Sequence, residues 1–377
     1  MGENEKVFFQ VLAEKLETKN PEEMKALLGF DGFVDEVVHV VGKRHDAEHY
    51  DRVEYLADYG NLIAESAGVS LNIEMMPIRT KLGGNGTILA NSLMRHGVKI
   101  DYIGACGKES IHPVFDELNE KVRIISISDP GHTDAVEFKD GKIISCKIEP
   151  LKEVNWKNLK NAVGVGGLAR LIEANDVLGF ENWTLLIYMS DIWEHILDEV
   201  IPCIKNPERK ILFIDLADPS KRTAEDILHA IRLLERFEEY FEVILGLNKK
   251  EARIIAGLLG AEEASVFKEN IEVAEYIKKN SKISKIIIHN AKEACGVSEN
   301  ESAVIDTPYC QNPKQTTGAG DSFNAGFMLG QMLGLNLRES LATGIANSGY
   351  YIREAVNADY ENLQKFLNRW GNGEIEE

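Results

Sequence analysis

The hydrophobic positions of this chain fall into short, continuously apolar runs that alternate with longer stretches of helical spacing. A run that is apolar at every position is typical of a strand buried between two layers of helices. On this basis we predict strands at 25–30, 99–104, 122–126, 184–189, 210–215, 241–247 and 285–289. Helical spacing predicts helices at 5–18, 85–96, 191–204, 224–239, 249–259, 271–280 and 359–370. This alternation indicates an α/β fold with a mostly parallel central sheet between two helix layers.

Four further segments depart from this alternation and have the composition of a separate, small β-layer. Two of them flank the turn Lys139-Asp140-Gly141 and alternate between apolar and polar residues, which is the pattern of a β-hairpin. The four segments are 35–41, 69–78, 133–138 and 142–147. We predict that they form a β-layer over one edge of the main sheet.

The chain has 377 residues, a length compatible with one large domain or two ordinary ones. We predict a single domain over 1–377, in which the β-layer is inserted as about 35–80 and 131–149. Residues 48–66 have helical spacing, and a lone amphipathic helix must cover an apolar surface. We therefore predict that this helix packs on the β-layer or on a partner subunit, with the main domain as the alternative.

Charge and hydropathy exclude several classes of function. The chain carries 42 basic and 61 acidic residues, a net charge of −19, so it lacks the basic footprint of a nucleic-acid-binding protein. Its apolar runs are too short to span a bilayer, and residues 1–6 are too polar for a signal peptide. We therefore expect a cytoplasmic protein that acts on a small molecule, without a membrane or nucleic-acid partner.

The segment that indicates chemistry is Gln315-Thr316-Thr317-Gly318-Ala319-Gly320-Asp321, which precedes an apolar helical stretch. A glycine turn that opens a helix presents free amide groups and the positive end of the helix dipole. Such a turn binds phosphate without a basic side chain. A carboxylate beside it, here Asp321, can accept a proton from a hydroxyl that attacks phosphorus. The alternative is that Asp321 only caps the helix.

This segment resembles the second signature of the ribokinase (PfkB-type carbohydrate kinase) family, Asp-Thr-x-Gly-Ala-Gly-Asp, at every position except Gln315. Residues 81–91, which begin Lys-Leu-Gly-Gly-Asn, resemble the first signature of the family. Asn248-Lys249-Lys250-Glu251 resembles its Asn-x-x-Glu element, and 29–35 resembles the end of its first strand. The resemblance extends over residues 29–349, most of the chain.

The resemblance implies a ribokinase-like three-layer α/β/α domain with a β-rich lid, formed by the β-layer predicted above. It implies a magnesium- and ATP-dependent phosphotransferase whose acceptor is a hydroxyl of a sugar, nucleoside or related polyol. Asp321 would be the base, and the backbone amides of Gly318, Ala319 and Gly320 would form the anion hole. A kinase of a vitamin-like hydroxymethyl compound and a non-catalytic binding protein of the same fold are the alternatives. ADP as the donor stays open, and a homodimer is possible.

The other roles are also carried over from the family. Acceptor hydroxyls would be bound by Asp31 or Asp35, of which we favour Asp35, together with Gly83, Gly84 and Asn85. The nucleotide and its magnesium ion would be bound by Asn248, Glu251, Thr317 and Asn347, with Glu251 placing the metal and Asn347 facing the base. Two patterns have a simpler interpretation: Gly83-Gly84 as a tight turn, and Asn248 with Glu251 as a helix capping box.

Overall fold

The computed structural model describes residues 2–205, 208–261 and 267–375. Its strands are β1 (Lys25–Phe30), β2 (Phe33–Arg44), β3 (Tyr50–Arg52), β4 (Met75–Gly83), β5 (Lys99–Gly104), β6 (Arg123–Ser126), β7 (Gly131–Glu137), β8 (Lys142–Lys147), β9 (Val177–Glu181), β10 (Lys210–Asp215), β11 (Phe241–Asn248), β12 (Lys285–His289), β13 (Glu293–Val297) and β14 (Ser302–Asp306). Its helices are α1 (Glu3–Glu17), α2 (Leu56–Glu65), α3 (Asn85–Arg95), α4 (Asp116–Asn119), α5 (Trp156–Val163), α6 (Val165–Ala174), α7 (Met189–His195), α8 (Ala224–Phe237), α9 (Lys249–Leu258), α10 (Asn270–Lys279), α11 (Ala319–Met332), α12 (Leu337–Glu354) and α13 (Tyr360–Asn372).

The large sheet is formed, within the described residues, by nine strands in the order β14-β13-β12-β11-β10-β9-β1-β5-β6. Neighbouring strands from β12 to β6 are parallel, and β13 and β14 add an antiparallel hairpin at one edge. The predicted α/β fold with a mostly parallel central sheet is confirmed. In such a sheet the carboxyl ends of all parallel strands lie along one edge, where ligands bind.

Two apolar cores lie on opposite faces of this sheet, because successive residues of each strand point to opposite sides. In β10, Leu212 and Ile214 face the layer that contains α8, α9 and α10, whereas Phe213 faces the other layer. That second layer consists mainly of α1, α3, α11, α12 and α13. Within the described part of the chain, none of these helices combines the length and apolar character that crossing a bilayer demands.

The small sheet consists of β2, β3, β4, β7 and β8, with β2 paired to β4, β7 and β3. One face is apolar: Val38, Val136 and Phe138 pack against α2, where the rings of Tyr59 and Phe138 lie 5.4 Å apart. The prediction that the helix of the first insertion packs on the β-layer is therefore confirmed. The helix begins at Leu56 and not at residue 48, because 50–52 form β3.

The predicted strand at 184–189 is wrong. The strand at this place in the sheet is β9 (Val177–Glu181), and residues 183–185 and 187–188 form turns before α7. Trp183, Leu186 and Met189 are buried at a spacing of three residues, so this run has a helical period that a continuous apolar stretch conceals. Gly179 interrupts the apolar run of β9 and so weakened the strand pattern. A larger residue would not fit there, because a Cβ at this position would lie 2.8 Å from Leu28 Cδ2.

Helices α11 and α12 pack at backbone contact through Gly326. A Cβ at Gly326 would lie 2.6 Å from Asn347 Cβ and 2.7 Å from the carbonyl oxygen of Thr343. We predict that Gly326→Ala lowers the free energy of unfolding by about 1–3 kcal/mol, because overpacking forces the two helices apart. Gly257→Ala in α9 is the matched control, since no atom lies within 4 Å of its new methyl group. The control should unfold at an unchanged or higher temperature; an equal loss in both variants would contradict the prediction.

Candidate active site

Polar side chains follow or end five adjacent strands at the carboxyl edge of the large sheet. Asp31 follows β1, and Glu181, Asp215, Asn248 and His289 end β9, β10, β11 and β12. The strands themselves are apolar and buried, so polar groups collect where the strands end and helices begin. This edge is the expected binding position in an open α/β sheet.

Two helices, α3 and α11, point their N-termini at this edge and are joined by a side-chain hydrogen bond. Asn85, the first residue of α3, donates from Nδ2 to Asp321 Oδ1 at 2.8 Å. Each helix is preceded by a glycine with positive φ, 102° at Gly84 and 87° at Gly318, a conformation that other residues rarely adopt. The first signature and the second signature of the sequence thus meet at one place.

The glycine loop, residues 315–320, is held by hydrogen bonds from its own side chains and from α12. Gln315 donates to the hydroxyl of Tyr351 and to the carbonyl of Thr317, and Tyr351 donates to the same carbonyl at 2.8 Å. The amide of Ala319 donates to the carbonyl of Thr316 at 3.2 Å, so this predicted anion-hole donor already has a partner. The amides of Gly318 and Gly320 have no such partner among the described residues and remain available to an anion.

Asp321 lies 8% exposed in the first turn of α11 and faces a cleft. Burial, together with the charges of Asp215 and Asp31, raises its pKa well above the usual value, while the bond from Asn85 opposes this shift. Asp215 accepts from Asn324 Nδ2 at 2.8 Å and is the register partner of Glu181, which is fully buried. A carboxylate with a raised pKa is a stronger base once it is ionised, as general-base catalysis at neutral pH requires.

The two candidate aspartates of the first strand have different surroundings. Asp31 is fully buried and accepts from the amides of Asn85 and Gly86 and from Asn182 Nδ2, at 2.8 to 3.0 Å. Asp31 therefore fixes the start of α3 and lines neither the charged nor the apolar cavity, so the structure does not bring it to the candidate acceptor site. Asp35 lines the cleft on β2, and this position supports the preference for Asp35.

The paired glycines make room for these aspartates. A Cβ at Gly83 would lie 2.2 Å from Asp35 Oδ1, and one at Gly84 would lie 3.0 Å from Asp31 Oδ1. The turn interpretation therefore holds, because the tight turn is what lets a carboxylate approach the backbone, and the role in acceptor binding stays a prediction. Of the two, Gly84 lines the cleft together with Asn85.

Two cavities meet at the glycine loop. The charged cavity, of about 310 Å³, lies between the small sheet and the large sheet and is lined by Asp35, Asn85 and Asp321. The apolar cavity, of about 500 Å³, lies on the other side of the loop between the ends of β11 and β12 and the face of α12. Thr316 and Pro313 line both. A ligand in each cavity would therefore have the loop between them.

The structure does not place all predicted nucleotide-binding residues at the apolar cavity. Asn347 is fully buried: its Oδ1 accepts from His96 Nε2 and its Nδ2 donates to the hydroxyl of Ser92, so the structure does not bring it to the cavity where a nucleotide base is expected. It lies on the face of α12 that packs on α11, and Ser348 lines the cavity instead. Thr317 lines the charged cavity. Asn248 does line the apolar cavity.

Asn248 and Glu251 form a capping box at the start of α9, as the simpler interpretation predicts. Glu251 accepts from the amide and from the side chain of Asn248, and Asn248 Oδ1 accepts from the Glu251 amide at 3.0 Å. Burial and the neighbouring Asp215 raise the pKa of Glu251 to about 8. Both of its oxygens are thus engaged, so the geometry does not favour Glu251 as a direct metal ligand.

No three His, Cys, Asp or Glu side chains in residues 2–205, 208–261 and 267–375 are grouped so as to hold a metal ion. Magnesium is usually held by substrate phosphates and water with only one or two carboxylates. A magnesium ion held in this way needs no such group of protein ligands.

Three site residues were missed by the sequence analysis. Glu181 ends β9 and Asn182 follows it. Because the strand was predicted at 184–189 instead of 177–181, these two residues were not recognised as the end of a strand. Lys142 was assigned only to a hairpin, although its side chain lines the charged cavity and donates to the glycine loop. Alternation along β8 could have indicated which of its residues face the cleft.

The comparisons with known proteins agree along nearly the whole chain. The family model described as prokaryotic ketohexokinase matches residues 11–370. A ketohexokinase of Haloferax volcanii is 28% identical over 344 residues, which cover 91% of this chain and 90% of that protein.

Solved structures show a similar fold at lower identity. The ribokinase of Thermotoga maritima superposes with a TM-score of 0.61 at 17% identity, covering 91% of this chain and 99% of that one. A putative ribokinase II of E. coli, solved in complex with ATP and Mg²⁺, gives a TM-score of 0.62 at 13% identity and covers 92% and 99%. These likenesses confirm the predicted three-layer fold with its additional small sheet.

Proposed function

Because the chain belongs to the prokaryotic ketohexokinase family, and is thus a carbohydrate kinase of the ribokinase type, we propose that it transfers the γ-phosphoryl group of ATP to a hydroxyl of a ketohexose. The observation that supports the proposal most directly is the bond between Asn85 and Asp321, two residues that line the charged cavity beside the glycine loop. The ketohexose is proposed from the relatives, and ATP from the kinases of the same fold.

The charged cavity has the groups that recognition of a sugar needs. Asp35, Asn85 and Asn182 line it with carboxylate and amide groups, and Thr133 contributes a hydroxyl. A carboxylate accepts from the hydroxyls of a polyol, an amide group both accepts and donates, and a mismatched hydroxyl would leave a buried group unpaired. This requirement selects a polyhydroxylated acceptor over an apolar one.

The transfer step follows from the position of Asp321 beside the glycine loop. The acceptor hydroxyl loses its proton to Asp321 as its oxygen forms a bond to the γ-phosphorus, and the bond to the β–γ bridging oxygen breaks to release ADP. The amides of Gly318 and Gly320 donate to the phosphoryl oxygens as their charge is redistributed. When bound, magnesium would supply further charge neutralisation on the nucleotide phosphates.

The apolar cavity suits the base and ribose of the nucleotide. Tyr309, Ile345 and Ile352 line it with largely apolar surface, while Asn248 and Asn290 supply hydrogen-bonding groups. A ligand there would have its phosphates directed to the glycine loop, which separates this cavity from the acceptor. The proposed role of the small sheet is that of a lid which excludes water from the acceptor side.

The proposal is tested by measuring ADP release from the purified chain with ATP and a panel of acceptors: ketohexoses, aldohexoses, pentoses, nucleosides and hydroxymethyl vitamin precursors. We expect release that depends on a ketohexose, together with a phosphorylated ketohexose identified by mass spectrometry. Preference for a nucleoside or a vitamin precursor would reassign the acceptor. ATP binding without release of ADP for any acceptor would favour the non-catalytic binding protein.

Asp35→Ala should weaken use of the sugar acceptor. The variant loses one hydrogen bond from a charged group, worth about 1.5–3 kcal/mol, so kcat/KM for the sugar should fall at least ~10-fold. The affinity for the nucleotide should hardly change, because Asp35 lines the charged cavity and not the apolar cavity. Steady-state kinetics against each substrate measures both effects, and an unchanged kcat/KM for the sugar would remove Asp35 from the acceptor site.

A further inference from the structure

A lysine at the start of β8 joins the small sheet to the glycine loop across the cleft. The Lys142 ammonium donates to the hydroxyl of Thr316 at 3.4 Å and to the hydroxyl of Thr317. These threonines directly precede Gly318, which opens the first turn of α11. Lys142 also lines the charged cavity together with Asp321. The cation therefore lies beside the position that the proposed function gives to the transferred phosphoryl group.

The hydrogen bonds of Lys142 go to neutral hydroxyls, which do not balance its charge. Glu137, its register partner across the β7–β8 ladder, and Asp35 on β2 are the carboxylates that interact with it. Burial lowers the pKa of Lys142 more than these carboxylates raise it. The ammonium has thus lost part of its hydration, and an anionic ligand would replace that water.

The other cations around the cavity have different partners or positions. Lys314 forms an ion pair with Glu354 at 3.1 Å. Lys81 lies directly opposite Asp35 in the β2–β4 ladder, and the charge of Asp35 raises its pKa against the effect of burial. Arg79 is exposed at the rim. Of the cations that the structure describes on the small sheet, Lys142 is therefore the one that donates hydrogen bonds to the glycine loop.

Resting on the proposed function, we propose that Lys142 binds the transferred phosphoryl group and thereby couples closure of the small sheet to phosphoryl transfer. The two amides available in the loop, those of Gly318 and Gly320, are neutral donors. A charged donor beside them stabilises the oxygens of the phosphoryl group as the bond to the leaving oxygen breaks. The ammonium keeps its proton throughout, since the proton of the acceptor goes to Asp321.

In this arrangement, closure of the small sheet and binding of the γ-phosphoryl group both depend on the ammonium of Lys142. When the phosphoryl oxygens replace the threonine hydroxyls as acceptors, a charge-assisted bond holds the hairpin that carries Lys142 closed over the transferred group more strongly than the neutral hydroxyls do. ADP lacks the γ-phosphoryl group and would leave Lys142 on its threonines. The proposal therefore requires that Lys142 distinguishes a nucleoside triphosphate from a diphosphate.

The first test measures nucleotide affinity by calorimetry, with the non-hydrolysable analogue AMP-PNP and with ADP. Lys142→Met should lower the affinity for AMP-PNP about 10-fold, the value of one charged hydrogen bond, and leave the affinity for ADP unchanged. Lys147→Met is the matched control on the same strand, because its ammonium pairs with Asp134 at 2.8 Å, away from the cleft. An equal loss for both nucleotides would show that Lys142 is only a structural link and would overturn the proposal.

The second test measures turnover with the sugar acceptor. We expect Lys142→Met to lower kcat about 10²-fold with little change in KM for the sugar, and Lys142→Arg to recover most of that loss. An unchanged kcat in Lys142→Met would overturn the proposal. If the wild type phosphorylates no sugar and yet shows the difference in AMP-PNP binding, the proposed acceptor is wrong and the role of Lys142 stands.

Discussion

Asp321→Asn should abolish most of the kinase activity while leaving the protein folded and able to bind nucleotide. The substitution keeps the shape of the side chain and the oxygen that accepts from Asn85, but it removes the proton acceptor. A positioned general base contributes about 10² to 10⁴ in rate, so kcat should fall by that factor. Calorimetry with ADP should give an affinity close to that of the wild type. Wild-type turnover in this variant would rule out Asp321 as the base.

The variant should also be at least as stable as the wild type at neutral pH. Burial and the charges of Asp215 and Asp31 raise the pKa of Asp321, so ionisation of this carboxyl is unfavourable in the folded state and costs stability as pH rises. An amide removes that cost. Asp306→Asn, a change at an exposed carboxyl of β14, is the control for loss of charge alone. A lowered melting temperature only in Asp321→Asn would mean that the lost activity reflects unfolding.

The raised pKa of Asp321 also determines how kcat should change with pH. A base acts when it is ionised, so kcat of the wild type should decrease as pH falls through the raised pKa of Asp321. The decrease should therefore begin at a higher pH than an ordinary aspartate would give. In Asp321→Asn the residual rate should lack this acidic decrease.

Asp31→Ala should cause the largest loss of stability among changes at the site. Asp31 accepts three hydrogen bonds of 2.8 to 3.0 Å from Asn85, Gly86 and Asn182. Each buried donor left without a partner costs about 1–3 kcal/mol, so the free energy of unfolding should fall by about 3 kcal/mol or more. Chemical denaturation measures this loss. The start of α3 would lose its anchor at the same time, so the activity should fall with the stability.

Asp35→Ala is the matched comparison, because it removes a second aspartate of the same segment that faces the cleft. We expect it to affect the kinetics with the sugar and to change the free energy of unfolding little. The two variants thus separate a structural aspartate from a binding aspartate. A stable Asp31→Ala protein with a raised KM for the sugar would reverse the two roles.

The sequence was sufficient for the fold class and for the parts of the site that belong to one contiguous motif. The central strands are apolar at nearly every position, so their burial between two helix layers determines their pattern directly. Asp321 and the glycine loop could be predicted because a helix N-terminus is a local property of a few residues. The capping box of Asn248 and Glu251 is local in the same way.

Contacts that depend on which elements become neighbours could not be predicted. Asp31 and Asp35 are equivalent in the sequence, and only the approach of α3 to Asp31 makes one structural. Asn347 lies on α12, where a rotation of about 100°, one residue along the helix, decides between the face toward α11 and the face toward the apolar cavity. Gly179 concealed β9 because a strand position under a packed side chain must be small.

Side chains alternate between the two faces of the small sheet, so packing against α2 and the lining of the charged cavity depend on different residues. Residues of one parity, such as Val38 and Val136, pack on α2, whereas their neighbours Val37 and Ala135 line the charged cavity. A combinatorial library restricted to the cavity-facing parity would therefore vary the preferred sugar while leaving the apolar contacts with α2 intact. Acceptor preference in this scaffold should drift readily among relatives, since a changed pocket side chain does not have to be compensated in the layer behind it.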